Sequence, residues 1–132
     1  MKPLRTIIGQ IKEYQCAMGY DNSAMTVEEN LQAVRDYAVA LMVEQGELLA
    51  EVSWKPWRSV ESQKPNPNMR KVALEWVDCL FFLVDQGLAL GLTEDMILDA
   101  FETKLVANHA RIQSGYSKTR ISQNDNTDGD VK

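Results

Sequence analysis

Four carboxylates recur at one spacing. Glu44 and Glu47 are three residues apart, and Glu75 and Asp78 repeat the step. Residues three apart share one face of a helix, so each pair points one way. Their settings differ. Glu44 and Glu47 lie in "MVEQGELLAE", at the edge of an apolar stripe that Glu51 joins one turn later. Glu75 and Asp78 lie in "EWVDCLFFLVD", where Trp76, Val77, Leu80, Phe81, Phe82, Leu83 and Val84 demand a core. An unpaired carboxylate in such surroundings costs several kcal/mol or takes up a proton. These acids therefore sit at an exposed edge, pair with cations or hold a metal. One such pair alone is commonly a solvated face. Two pairs on consecutive antiparallel helices would make a four-carboxylate site, and hard oxygen ligands suit Mg²⁺ or Mn²⁺.

Other chemistries find less support. Di-iron bundles use Glu-x-x-His on two helices. The single histidine is His109 and residue 106 is valine, so that motif is absent and His109 reads as a surface or interhelical residue. Cys16 and Cys79 form no CxxC, and both read as buried free thiols in a reducing cytoplasm. A net charge of −5 argues against a nucleic-acid backbone as partner, which needs a clustered basic face. No signal peptide and no membrane span are expected. The run Cys79–Val84 is far short of the ~20 apolar residues a span requires.

The elements that must position these acids are helical. With 132 residues, 45% of them apolar, the chain has the size of one domain. Leu4, Ile7, Ile8, Ile11 and Cys16 mark a first helix over 4–18, stopped by Gly19. After a turn, Thr26 and Glu29 fit a capping box for a second helix, about 27–52. Its stripe of Leu31, Val34, Ala38, Leu41, Leu48 and Val52 predicts a core face. A proline-rich loop spans 53–68, and Asn66-Pro67 suits a cap followed by a first-turn proline. A third helix is expected over 68–90, stopped by Gly91, and a fourth from a Thr93 cap to about Gln113, with Glu94 and Asp95 favourable against its dipole. Helix three is apolar around most of its circumference, which suggests burial between helices, including helices of a second subunit. No strand is expected. The fold class is all-α, a four-to-five-helix bundle, oligomeric, with one domain over 1–116 and a polar tail over 117–132 that is flexible or lies over a partner.

Taken together, the motifs resemble the all-α nucleoside triphosphate pyrophosphohydrolases, the superfamily of MazG-like enzymes, dCTP pyrophosphatases and dimeric dUTPases. Three segments carry the resemblance over about residues 26–116. They are Glu44-x-x-Glu47 with Glu75-x-x-Asp78, the element Trp54-Lys55-Pro56-Trp57, and Lys104-x3-Asn108-x2-Arg111-x3-Gly115-Tyr116. The tryptophan element is similar to the dUTPase branch or to phage-type members. The gap between the acid pairs is longer than in dimeric dUTPases and the chain is shorter than the larger members, which bears on the base more than on the chemistry.

The resemblance implies cleavage of a triphosphate to monophosphate and pyrophosphate, dUTP first, with dCTP or a purine triphosphate such as dGTP as alternatives. It implies Mg²⁺, replaceable by Mn²⁺, at two or more ions held by Glu44, Glu47, Glu75 and Asp78. Glu47 would orient or deprotonate the attacking water. Lys104, Asn108 and Arg111, on one helix face, would clamp phosphates. Trp54 or Trp57 would stack on a base or close the pocket, with Lys55 and, more weakly, Arg58 nearby. Tyr116 would cover the ligand. Glu51 and Asp85 stay undecided, Asp85 reading as a surface group or a subunit-interface salt bridge. The expected assembly is a homodimer or homotetramer in the cytoplasm, the host's if the chain is phage-encoded. The rival of another class is a noncatalytic helical dimerisation module, whose acids pair with lysine or arginine across the interface.

Overall fold

The protein was analysed as a computed structural model in which residues 3–59 and 67–115 are described. The expectations for Asn66, Tyr116 and the tail 117–132 lie outside these residues. Among the described residues there are four α-helices and no strand: α1 (Leu4–Ala17), α2 (Val27–Glu51), α3 (Met69–Ala89) and α4 (Glu94–Gln113), with a short 3₁₀ turn at Asn22–Ala24. The all-α reading is borne out.

The helix ends follow local chemistry. Thr26 Oγ1 accepts from the Glu29 amide (3.2 Å), and Glu29 Oε2 accepts from the Thr26 amide (2.8 Å). That reciprocal box satisfies two amides that have no partner within the helix. α3 differs from expectation. Its cap is Asn68, whose Oδ1 accepts from the amides of Arg70 (3.1 Å) and Lys71 (3.3 Å). A cap must reach the second and third amides of its helix, and Asn68 is the residue placed to do so. Thr93 caps α4 through the Met96 amide (3.2 Å). Gly19 and Gly91 close α1 and α3 at φ +93° and +77°, a region that costs side-chain-bearing residues strain.

The chain divides into two compact units, Met1–Leu92 and Thr93–Lys132. In the first, α2 packs along α3, and α1 also lies against α3. Gln86 Nε2 donates to the Val34 carbonyl (3.3 Å) towards one end of the α2–α3 pair. Glu44 meets Glu75 and Asp78 towards the other, so the two helices run antiparallel. The buried core is small. It consists of Ile8 and Ile11 of α1 and Cys79, Val84 and Ala89 of α3, with the polar Gln15 and Asp85 also buried.

Two expectations about burial are corrected. Cys16 is exposed, because Ile8, Ile11 and Gln15 define the inward face of α1 and residue 16 lies about 100° around from residue 15. The α2 stripe does not form a closed core: no residue of α2 is buried, and Leu31 and Val52 are exposed. One packed neighbour covers only part of an apolar stripe that wide. α3 likewise leaves Leu74, Trp76 and Leu83 uncovered.

Unit two contributes α4 alone among the described residues. Lys104, Asn108, His109 and Arg111 are all exposed on it.

Candidate functional site

Antiparallel packing of α2 on α3 brings the two acid pairs together. Glu44, Glu75 and Asp78 each offer one carboxylate oxygen, and these oxygens lie within 4.8 Å of one another. No lysine or arginine lies among the charges that act on Glu44 or Glu75; all are acidic. Burial, then the Glu47 charge, then a hydrogen bond shared with Glu47, then Asp78 and Glu75 push the Glu44 carboxyl above the ordinary carboxylate range. Burial also raises Glu75, followed by the charges of Glu47 and Asp78, a hydrogen bond with Glu47, and Glu51. Glu47 thus belongs to the cluster as a neighbour of both Glu44 and Glu75, and Glu51 lies at its edge.

The donor set fits a divalent cation. Glu44 Oε2 and Glu75 Oε2 are shielded from solvent and have no hydrogen-bond partner. Unpartnered buried carboxylate oxygens are costly. Convergent hard oxygens from three or four side chains are the donors that Mg²⁺ and Mn²⁺ take.

Beside the acids lies a cavity of about 660 Å³, bordered by Glu44 and Asp78 and extending to Asp85. Such a volume falls in the ~300–1,000 Å³ range of small-molecule sites. Its walls are aromatic. Tyr14 meets Phe81 edge to face (centroids 5.8 Å, 87°), and Tyr37 lies beside Phe82 (6.3 Å, 36°). These residues escaped the sequence reading, yet a signal existed. Asp78, Phe82 and Asp85 stand at i, i+4 and i+7 on α3, and Tyr37 and Glu44 are seven apart on α2. Each set shares a face with an acid already singled out.

Asp85 corrects an expectation. It is not a surface group: it is 3% exposed, and its Oδ1 has no partner among the described residues. Residue 85 falls on the α3 face turned towards α1 and α2, where burial pushes its carboxyl up to about 6, against the lowering effect of a hydrogen bond from Gln15.

The tryptophan element is placed differently from the cavity. Trp54 and Trp57 meet edge to face (5.6 Å, 88°), Lys55 Nζ lies 5.9 Å from the Trp54 ring centre, and none of the three borders the cavity. Chain direction changes there, with Ser53 at φ +54°. Lys104, Asn108 and Arg111 recur along one face of α4 in the second unit, as their spacing predicts.

Comparison with known proteins agrees with this geometry. No curated protein and no solved structure matches the chain significantly. The family described as dATP/dGTP pyrophosphohydrolase matches residues 65–127, which include Glu75 and Asp78. The family described as dUTPase matches residues 9–90, which include all four acids and the whole cavity. On that match, spanning well over half of its length, the chain belongs to the dUTPase family, within the MazG-like all-α nucleoside triphosphate pyrophosphohydrolases.

Proposed function

We propose that the protein is a divalent-metal-dependent pyrophosphohydrolase of a deoxynucleoside triphosphate, releasing the monophosphate and pyrophosphate. One observation carries the metal dependence: three convergent carboxylates with two buried, unpartnered oxygens and no cation among the charges acting on Glu44 and Glu75. Glu44, Glu47, Glu75 and Asp78 would hold Mg²⁺, or Mn²⁺ in its place, at two or more ions. Bound there, the ions supply the positive charge that lets a triphosphate approach an acidic site.

The chain's own residues do the rest. Water adds to the α-phosphorus, the bond to the bridging oxygen breaks, and pyrophosphate leaves. Glu47 is exposed at the rim of the cluster, and its charge acts on both Glu44 and Glu75. It is the residue we assign to orient that water and take its proton. The aromatic cavity beside the acids would hold the nucleoside. Lys104, Asn108 and Arg111 are assigned to the phosphates by resemblance, with Lys55, Trp54, Trp57 and Tyr116 as further substrate-binding residues and residues 1–116 as one working domain. The dUTPase match supports dUTP as one candidate substrate, and the dATP/dGTP pyrophosphohydrolase match supports purine triphosphates as the other. A dCTP-cleaving enzyme is the remaining alternative from the resemblance.

We also assign the chain a homodimeric or homotetrameric state and a cytoplasmic location, where nucleoside triphosphates are found. The uncovered apolar side chains of α2 and α3, Val39, Met42, Val43, Trp76 and Leu83 among them, support association.

The deciding experiment is product analysis with dUTP, dCTP, dTTP, dATP, dGTP and the ribonucleotides, in Mg²⁺ and then in EDTA. We expect monophosphate plus pyrophosphate from one base above the others, lost in EDTA. Folded protein that turns over none of them would overturn the reading.

A further inference from the structure

The cavity has two chemically different ends. Glu44 and Asp78 border one, and Asp85 with Gln15 and Tyr37 borders the other. Asp78 and Asp85 are seven residues apart on α3, about 10 Å along the axis. That is the order of a nucleoside's length from phosphate to base. Tyr14, Tyr37, Phe81 and Phe82 wall the space between with flat faces, and aromatic faces stack on bases of any sequence.

The far end has a fixed polarity. The Tyr37 hydroxyl donates to Gln15 Oε1 (3.2 Å), so the Gln15 amide nitrogen is turned to Asp85. Gln15 is itself only 7% exposed. This chain of hydrogen bonds uses one oxygen of Asp85 and leaves Oδ1 without a donor. The Cβ–Cγ torsion of aspartate is soft. Rotation about it is the movement by which that oxygen would meet a ligand in the cavity the residue already borders. An ionised carboxylate only accepts, so this end takes a ligand edge made of donors.

We propose that Asp85, held by Gln15 and Tyr37, is the residue that reads the base, and that it selects an edge with two adjacent donors, as in guanine, over uracil. Guanine presents N1–H beside an exocyclic amino group. Uracil presents one N–H between two carbonyl oxygens, which face an anionic acceptor unfavourably. Adenine and cytosine each pair one amino donor with a ring-nitrogen acceptor, which a carboxylate reads only in part. Burial raises Asp85 to about 6, so above that pH it is mostly ionised and still acts as acceptor.

The inference rests on the nucleotide-pyrophosphohydrolase reading, and its test separates the two. Steady-state kcat/KM would be measured on dGTP, dITP, dATP and dUTP, for the native chain and Asp85→Asn. Calorimetric binding of dGMP and dUMP in EDTA would accompany it. The deoxyinosine nucleotide lacks only the amino group, so it probes Asp85 without any mutation. We expect dGTP to exceed dITP by roughly 10-fold or more, the value of a hydrogen bond to a charged group. Asp85→Asn should lower dGTP turnover and dGMP binding by on the order of 100-fold, for the two donors it no longer meets as an anion, and raise dUTP turnover and dUMP binding, because the uracil carbonyls then meet a neutral amide that can donate. Equal rates on dGTP and dITP, or a loss in Asp85→Asn that is the same for every base, would overturn it. If no triphosphate is cleaved, the hydrolase reading fails. Binding in EDTA then still decides Asp85: dGMP bound over dUMP, and weakened by Asp85→Asn, supports the assignment, and equal binding overturns it.

Discussion

Glu44→Gln and Asp78→Asn are each expected to lower turnover by about 10³-fold, the scale seen when one preorganised charge-stabilising group is removed from an active site. The fold should survive both. Glu44→Gln should in fact raise the melting temperature of the metal-free protein at neutral pH. The sign follows from linkage. Burial and the acids around it raise the Glu44 and Glu75 carboxyls above their ordinary value. The stabilisation tied to their protonated forms is complete below the unfolded-state carboxylate range, about 4.3. It is lost as pH rises through the higher folded-state values. Near pH 7 both groups therefore oppose folding, and a neutral amide of the same shape removes that opposition. Paired kinetics and thermal scans in EDTA from pH 4 to pH 8 check this. The Glu44→Gln gain should be present at pH 8 and fade towards pH 4. A variant that melts earlier at pH 8 would place Glu44 in an ion pair across a subunit interface, as the dimerisation-module reading required, and not in a cation site.

Removing or adding the divalent ion should produce the second large effect. An ion that binds only the folded state stabilises by about 2.7 kcal/mol at 100 times its dissociation constant. For a domain of this size each kcal/mol moves the midpoint by about 4 °C, so saturating Mg²⁺ should raise it by about 10 °C. Mn²⁺ should do the same. The rise should shrink in Glu75→Gln, where one of the two unpartnered buried oxygens is replaced by a group with lower charge. A midpoint indifferent to Mg²⁺ and Mn²⁺ in the native chain would show that the acids hold no ion, whatever the products of the reaction. The salt control is NaCl at equal ionic strength, because general screening also relieves repulsion among exposed carboxylates.

The uncovered apolar surface bears on how both experiments are run. Among the described residues, only Ile8, Ile11, Cys79, Val84 and Ala89 form the buried apolar core. If the proposed self-association buries more, the midpoint will depend on protein concentration, which must be held fixed between variants.

The sequence by itself determined the helices, because what makes a helix is local. Thr26 with Glu29, Thr93, Gly19 and Gly91 terminate helices through atoms within a few residues of themselves. It also determined that Glu44, Glu47, Glu75 and Asp78 are the acids to watch, since i, i+3 spacing fixes a common face before any packing occurs. What it left undecided depends on which faces meet. Asp85 reads as a surface acid on a greasy helix, and only the placement of α1 against α3 buries it beside Gln15. Tyr14, Tyr37, Phe81 and Phe82 come from three helices; spacing ties Tyr37 and Phe82 to the acids, but which rings from different helices wall one cavity is set by packing. The tryptophans after α2 stand out in the sequence, yet they pack on each other and do not border the cavity. The α2 stripe shows the same division. Its period is written in the sequence, but how much of it is covered is set by the neighbours that tertiary and quaternary packing supply.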